Sequence, residues 1–209
     1  MTDVKHFDPT AVLGTAVQLF WRQGLATTGI QDVVAASGVN RSSLYATFGG
    51  KQELYLAALD RYLDEHALPG FARLAADQRG VPAIGEFFAR LIRSRCSGER
   101  AGWGCMLVNA HTGPESADPG VRQRLDRHYD RLRAALREAL QTARSQGQLR
   151  PGVDIDATAA QLALLAYGLN LRSRAGARPT ELDRTVTETL TSLSARHNEA
   201  HQEESRANG

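Results

Sequence analysis

The amino-acid sequence predicts an all-α protein. Apolar residues recur at helical spacing along most of the chain, most regularly at Ile84, Phe87, Phe88, Leu91 and Ile92, which share one helix face. Glycine and proline separate successive stretches of this kind, as expected where helices end. No segment shows the strict alternation of apolar and polar residues that marks a strand. The 209 residues are enough for one large domain or two small ones with a buried core.

The first predicted helix covers residues 9–23. Pro9 suits the first turn, because the backbone N–H that it lacks would have no partner there, and Gly24 suits the C-terminal stop. Its apolar stripe consists of Leu13, Ala16, Val17 and Phe20. We expect this helix to support the segment that follows it. Residues 1–8 are predicted to be a loose tail.

Residues 27–51 predict two short helices joined by a tight turn. Ile30, Val33 and Val34 lie at positions i, i+3 and i+4 of the first helix and therefore share one face. Thr27 and Thr28 precede this helix, where a hydroxyl can accept a hydrogen bond from a free backbone N–H. Gly38 then permits the left-handed conformation that a sharp turn requires.

The second short helix carries an outer face that is rich in hydrogen-bond donors. Val39, Leu44 and Phe48 supply its apolar contacts. The outer face consists of Arg41, Ser42, Ser43, Tyr45 and Thr47. Such a face fits a DNA major groove, because arginine binds guanine and small hydroxyls approach base edges or phosphates. It also fits a plain helical corner, and spacing alone does not decide between the two. Lys51, after two glycines, opens the next helix and predicts a phosphate contact.

Six further helical segments are predicted, at residues 51–66, 81–95, 103–111, 121–146, 154–174 and 179–197. Leu68, Pro69 and Gly70 are expected to interrupt the pattern after residue 66, and residues 71–78 fit either helix or irregular chain. The segment 154–174 is rich in small residues, which permit helices to approach closely. The polar residues 198–209 are expected to be disordered.

Composition narrows the class of protein only slightly. The formal net charge is +2, so bulk charge argues little for nucleic acid, and the DNA prediction depends on the helix pattern. No run of about 18 apolar residues predicts a membrane helix, and the N-terminus lacks the basic-then-apolar order of a signal peptide. We therefore expect a cytoplasmic protein. Two cysteines are too few for a disulfide framework.

The segment from Val12 to about Leu59 resembles the N-terminal domain of the TetR family of bacterial transcriptional regulators. The matching residues are Ala16, Leu19, Phe20, Gly24, Thr28, Ile30, Asp32, Val33, Ala36, Gly38, Val39, Ser43, Leu44, Tyr45, Phe48, Lys51 and Leu54. Gly29 stands where the family usually has a second hydroxyl, and Val34 where it usually has alanine. The resemblance implies a three-helix DNA-binding domain, a helical ligand-binding domain behind it, and a homodimer.

The resemblance also divides the chain and assigns its DNA contacts. It implies a DNA-binding domain at residues 1–52 and an effector-binding and dimerisation domain at residues 53–197, with residues 198–209 as a tail. Arg41 is the expected base contact, with Ser42 and Ser43 beside it. The expected phosphate contacts are Thr28, Gln31, Tyr45, Thr47 and Lys51, of which Gln31 is also a candidate base contact. The expected partner is a palindromic double-stranded DNA operator that a small molecule releases. Repression is the family default, and activation is the alternative.

Cys105 lies in a Trp-Gly-Cys-Met-Leu-Val-Asn segment that resembles one branch of the family, in which some members sense oxidants or electrophiles through cysteine. A sensor thiol needs access and a lowered pKa, to which Arg95 or Arg100 would contribute. A small buried hydrophobic residue is the simpler interpretation of Cys105, and a disulfide between Cys96 and Cys105 is a third.

An effector pocket is expected between the middle helices. Its candidate lining residues are Phe88, Ile92, Trp103, Cys105, Met106, Asn109, His111, His128, Tyr129 and Tyr167. No spacing of histidine, cysteine and carboxylates predicts a metal site, and no cofactor motif or catalytic grouping is recognisable, so we do not expect an enzyme. The alternative function is a helical small-molecule or cysteine-based redox sensor that acts through protein partners without binding DNA.

Overall fold

A computed structural model of the chain describes residues 7–195, which form ten α-helices. Their bounds are α1 Pro9–Gln23, α2 Ile30–Ser37, α3 Arg41–Phe48, α4 Lys51–Tyr62, α5 Leu68–Ala76, α6 Val81–Cys96, α7 Met106–Ala110, α8 Pro119–Ser145, α9 Ile155–Arg174 and α10 Pro179–Leu193. Within this range no strand forms beyond an isolated bridge between Leu149 and Ser194. The all-α prediction is confirmed. Among the described helices, none combines the length and apolarity needed to cross a membrane.

The N-terminal helix has the predicted bounds, and Asp8 caps it. The Asp8 carboxylate accepts a hydrogen bond from the Thr10 N–H at 2.8 Å, and Phe7 packs against the core. The prediction that residues 1–8 form a loose tail is therefore wrong for Phe7 and Asp8, because these contacts hold both residues in place. Residues 1–6 lie outside the described range. Helix α1 packs along α4, and the Arg61 guanidinium of α4 donates to the Thr10 carbonyl.

The predicted threonine caps of α2 are wrong. The hydroxyls of Thr27 and Thr28 donate backward to the carbonyls of Gln23 and Gly24 at the end of α1. The N-terminal cap is Gly29, whose N–H donates to the Asp32 carboxylate at 2.6 Å. The hydroxyls of both threonines are thus used to close the turn after α1.

Helices α4 and α5 belong to one helical run, so the predicted interruption at Leu68 to Gly70 is wrong. A π-helical turn at Leu63–Ala67 joins α4 to α5, and Pro69 lies in the first turn of α5. Proline has no N–H for the regular i→i−4 bond, and a π-turn is one way to accommodate that loss. The run from residue 51 to 76 therefore passes without a break from the DNA-binding segment into the rest of the molecule.

The remaining helices follow the predictions with shifted ends. Helix α7 has only five residues and begins at Met106, not at residue 103, because Gly102 and Gly104 adopt positive φ angles of 75° and 67°. The structure describes α10 to Leu193. The predicted continuation to residue 197 extends past the described range, and the predicted disordered tail lies wholly outside it.

The core brings the C-terminal helices together around α8. Helix α8 packs against α5 and α9, and α6 packs against α10. Between α8 and α4, Arg124 forms an ion pair with Asp60 at 2.5 Å. The buried core is continuous from Val12 in α1 to Leu193 in α10, so the DNA-binding segment shares its packing with the rest of the protein.

Candidate DNA-binding surface and effector cavity

Helix α3 presents a polar face that local contacts hold in place. The Asn40 side chain caps the helix by accepting from the Ser43 N–H at 2.7 Å and from the Ser42 hydroxyl at 2.8 Å. Leu44 is completely buried beneath. On the outside, the Arg41 guanidinium lies 5.3 Å from the centre of the Tyr45 ring. Asn40 was not among the predicted functional residues, although asparagine before the first helical residue is a strong cap signal.

Most of the residues predicted to contact DNA lie on the surface. Arg41, Ser42, Tyr45, Thr47 and Gln31 are exposed. Ser43 and Lys51 are partly exposed. Their contacts with DNA remain predictions, but each side chain is accessible to a ligand.

Thr28 is the exception and requires a correction. Its exposed fraction is 0%, and its hydroxyl donates to the Gly24 carbonyl at 2.7 Å. A side chain that is buried and already bonded in this way is not available to a phosphate. Thr28 therefore stabilises the turn between α1 and α2.

Trp21, near the end of α1, forms the centre of an aromatic cluster. Its ring packs against Tyr62 at 4.8 Å, His66 at 5.2 Å and Trp103 at 5.5 Å between ring centres. Its indole N–H donates to the Gly104 carbonyl at 2.9 Å. We call Trp21, Tyr62, His66 and Trp103 the Trp21 cluster. It joins α1 of the DNA-binding segment to the helical run 51–76 and to the loop before α7.

A second set of contacts fixes the same junction from α9. The Arg174 guanidinium donates to the Trp103 carbonyl at 2.8 Å and to the Arg22 carbonyl at 3.4 Å. The Asn109 side-chain amide also donates to the Trp103 carbonyl, at 2.8 Å. The end of α1 and the loop of Trp103 are therefore held to one helix of the C-terminal part.

A cavity of about 420 Å³ opens beside the Trp21 cluster. Its wall includes residues from α1, the run 51–76, α6, α8 and α9. The volume lies within the range of about 300–1,000 Å³ that is typical of small-molecule sites. Because Trp21 is part of the wall, the DNA-binding segment contributes directly to this cavity.

The structure places three of the ten predicted effector residues in the cavity wall, namely Cys105, His128 and Tyr167. The other seven do not line it. Phe88, Ile92 and Met106 are buried in the core. Trp103 packs against Trp21, and Asn109 borders a smaller pocket of about 160 Å³. His111 and Tyr129 pack against Tyr167.

On α6, the predicted lining residues differ from the observed ones by a small rotation about the helix axis. Phe87 and Leu91 face the cavity, whereas the predicted Phe88 and Ile92 face the core. All four share one apolar stripe in the sequence, so helical spacing does not separate them. The wall residues Trp21, His66 and Arg95 were also missed, because they come from three different helical segments and only tertiary packing brings them together.

Cys105 is the most perturbed thiol of the described residues. It is buried at the cavity wall, with its Sγ 3.9 Å from His128 Nε2, and His128 Nδ1 lies 2.9 Å from the Tyr167 hydroxyl. Burial raises the pKa of the Cys105 thiol, but the His128 imidazole and the Arg95 guanidinium outweigh it and lower the pKa to about 6. By contrast, burial raises the pKa of the half-buried Cys96 thiol. Both cysteines are free, so no disulfide joins them.

The described part of the chain contains no cluster of side chains that could bind a metal ion. No three histidine, cysteine or carboxylate side chains within residues 7–195 are close enough to hold an ion. The site therefore consists of an exposed polar helix on one side and, on the other, a cavity whose wall includes the Cys105 thiol.

Comparisons with known proteins agree with this geometry. Residues 12–58 match the family described as bacterial regulatory proteins of the tetR family, and residues 80–189 match the tetracyclin repressor-like C-terminal domain. The HTH-type transcriptional repressor ComR of Escherichia coli is 30% identical over 189 residues, covering 89% of each chain.

Two solved structures have the same fold. A cysteine mutant of the TetR family regulator CifR, complexed with 26-bp operator DNA, superposes with a TM-score of 0.78 at 25% identity, covering 90% of this chain and 98% of CifR. A TetR regulator from Chloroflexus aurantiacus gives a TM-score of 0.73 at 30% identity, covering 86% and 90% of the two chains.

The helix-turn-helix, the cavity behind it and these similarities define a DNA-binding transcriptional regulator. Within that class, the chain belongs to the TetR family.

The first prediction concerns the pH dependence of Cys105 alkylation. Only the thiolate reacts with iodoacetamide, forming a carbon–sulfur bond as iodide leaves. In a Cys96→Ser background we expect the alkylation rate to rise through an inflection near pH 6, instead of near the ordinary thiol pKa of about 8.5. His128→Asn should move the inflection to higher pH, because it removes the main favourable interaction with the thiolate. The measurement is the adduct mass against time at a series of pH values. An inflection above about pH 8 in the parent protein would contradict this account.

Proposed function

We propose that the protein is a homodimeric repressor that binds a palindromic operator and leaves it when a small molecule occupies the cavity. The observation that carries this proposal is the position of Trp21. It belongs to α1, which supports the helix-turn-helix, and it also forms part of the cavity wall. A ligand that displaces the indole therefore acts directly on the DNA-binding segment.

The proposed DNA interface is the exposed face of α3 with the start of α4. Arg41 contacts a base, Ser42 and Ser43 lie beside it, and Tyr45, Thr47 and Lys51 bind phosphates. Gln31 of α2 binds a phosphate or a base edge. Residues 1–52 form the DNA-binding domain in this proposal, and residues 53–197 form the effector-binding and dimerisation domain, followed by the tail 198–209.

An exposed stripe on α9 supports dimerisation. Leu164 and Leu171 are 61% and 40% exposed, and Gly168 lies between them on the same side. Large apolar side chains beside a glycine suit close helix packing against a second copy. A dimer would set two copies of α3 in successive major grooves, about 34–36 Å apart.

Release follows from the mechanical link between the cavity and the two α3 helices. The run 51–76 lines the cavity and packs against α1. When a ligand moves this run, the separation of the two α3 helices changes, and both half-sites lose contact together. The relatives support this proposal: ComR is named a repressor, and the CifR mutant is complexed with operator DNA. We further propose a cytoplasmic location and a role without catalysis or cofactor.

A second route to release is modification of Cys105, which its cavity position and lowered pKa favour. The thiolate adds to an activated alkene such as N-ethylmaleimide, forming a carbon–sulfur bond, while the adjacent carbon takes a proton. The adduct fills the cavity beside the His128 ring.

The second prediction tests the DNA contacts. Arg41→Ala should cost about 1–3 kcal/mol of binding to the operator and much less on random DNA, because a base contact gives sequence discrimination. Lys51→Ala is the matched control: it should weaken both DNAs alike and lower the salt slope by about 1. The measurement is fluorescence anisotropy at several salt concentrations, with a labelled duplex from the region upstream of the gene that encodes the protein. If Arg41→Ala weakens both DNAs equally, Arg41 contacts only the backbone.

The third prediction separates thiol-induced release from damage to the DNA-binding surface. N-ethylmaleimide should lower the operator affinity of the Cys96→Ser protein at least tenfold, because the adduct presses on the cavity wall. The Cys96→Ser, Cys105→Ser protein should keep its affinity after the same treatment. Equal operator affinity before and after complete modification of Cys105 would exclude this route.

A further inference from the structure

Every carboxylate in the cavity wall already has an arginine partner. Glu65 pairs with Arg61 at 2.8 Å. Asp77 pairs with Arg79 at 2.6 Å. Glu86 pairs with Arg90 at 2.7 Å and with Arg93 at 3.1 Å. The negative charge of the wall is therefore neutralised by neighbouring side chains and is not available to a cationic ligand.

Three arginines of the wall, Arg73, Arg95 and Arg100, form no ion pair with a carboxylate among the described residues, and two of them, Arg95 and Arg100, lie over the Trp21 ring. Arg95 donates to the Asn170 side-chain oxygen at 2.7 Å and to the Tyr62 hydroxyl at 3.3 Å, both neutral acceptors. Its one anionic neighbour in the described wall is the Cys105 thiolate, which forms because His128 and Arg95 lower the pKa of that thiol. Arg100 makes no ion pair within the described range, and its guanidinium lies 5.2 Å from the centre of the Trp21 ring. Arg95 lies over the same ring at 5.8 Å.

The two guanidiniums make this end of the cavity positive, and this charge affects the neighbouring His66 imidazole. Burial lowers the pKa of His66, and the nearby charges of Arg100 and Arg95 lower it further. A cation is therefore disfavoured at this end of the cavity, while an anion is favoured. We call Arg95, Arg100, His66 and Trp21 the anion subsite.

The rest of the wall is suited to an apolar body. Its phenylalanine and leucine side chains are Phe71, Leu74, Phe87, Leu91 and Leu132. The Phe71 and Phe87 rings lie 6.3 Å apart, and the Phe71 ring packs at 5.3 Å from His128. An aromatic or branched aliphatic group would bury its surface against these side chains.

We propose that the effector is an amphipathic organic anion, with an aromatic or aliphatic body in the cavity and one acidic group held by Arg95 and Arg100. The guanidiniums donate charge-assisted hydrogen bonds to the acidic group, and the indole of Trp21 lies beneath both of them. This proposal rests on the proposed function, because it names the ligand class of the same cavity. An anion at this position contacts the one wall residue that belongs to α1.

The fourth prediction uses two probes with the same aromatic body. 8-Anilinonaphthalene-1-sulfonate carries a sulfonate, and N-phenyl-1-naphthylamine does not; both fluoresce when they enter an apolar site. We expect the wild-type protein to bind the sulfonate at least tenfold more tightly, because hydrogen bonds to charged groups contribute about 1.5–3 kcal/mol. Arg95→Gln and Arg100→Gln should each weaken sulfonate binding about tenfold and change binding of the neutral probe less than twofold.

Arg90→Gln is the matched control. Arg90 lines the same cavity and carries the same charge, but it is paired with Glu86, so its removal should leave sulfonate affinity within about twofold. Circular dichroism checks that each variant is folded; if Arg95→Gln is not, the exposed loop residue Arg100 decides the question. Equal affinity of the wild type for both probes, or an equal loss in Arg90→Gln and Arg100→Gln, would overturn the proposal. Probe binding needs no DNA, so a failure of operator binding would leave this result interpretable and would count against the proposed function alone.

Discussion

The hydrogen bond from the Trp21 indole to the Gly104 carbonyl is the contact on which the arrangement of this protein depends. It joins a helix of the DNA-binding segment to a loop that is 83 residues further along the chain. The positive φ angles of Gly102 and Gly104 shape that loop and turn its carbonyl toward the indole. Because the bond is buried, breaking it would leave a donor and an acceptor without partners, at a cost of about 1–3 kcal/mol for each group. The bond therefore fixes the end of α1, the loop and the cavity wall in one geometry.

The charged groups behind this bond explain why the cavity is suited to a chemical signal. His128 and Arg95 lie close enough to the Cys105 thiol to lower its pKa, and burial strengthens these interactions by excluding water. The lowered pKa of Cys105 and the neutral partners of Arg95 have one origin: the wall carries more positive charge than its own carboxylates neutralise. An anionic ligand and a thiolate are two ways to balance that charge.

The sequence was sufficient for the existence of most helices and for the exposed face of α3. Periodicity gave α1 its bounds, since Pro9 and Gly24 lie at its ends, and the glycine turn at Gly38 separated α2 from α3. Sequence alone did not show that the Thr28 hydroxyl turns back to the Gly24 carbonyl, because a threonine before a helix fits a cap and a turn equally well. The break predicted at Pro69 is wrong, because a π-turn leaves no mark in the apolar pattern.

The cavity was the least predictable feature, for a physical reason. Its wall combines Trp21, His66, Arg95 and Tyr167, which come from four helices and meet only through tertiary packing. The apolar stripe of α6 contains both core and cavity residues, and a rotation of one residue exchanges them. Cys105 was recognisable from its local motif, but its pKa depends on His128, which lies 23 residues away.

The most direct test of the link between DNA and cavity is intrinsic tryptophan fluorescence. The chain has two tryptophans, Trp21 and Trp103, and their rings pack against each other at 5.5 Å, so their emission reports on the Trp21 cluster alone. If the cluster joins the DNA-binding segment to the cavity, titration with operator DNA should shift the emission in step with binding measured by anisotropy, whereas a scrambled duplex should not. An emission spectrum that stays constant while the operator saturates the protein would contradict the account.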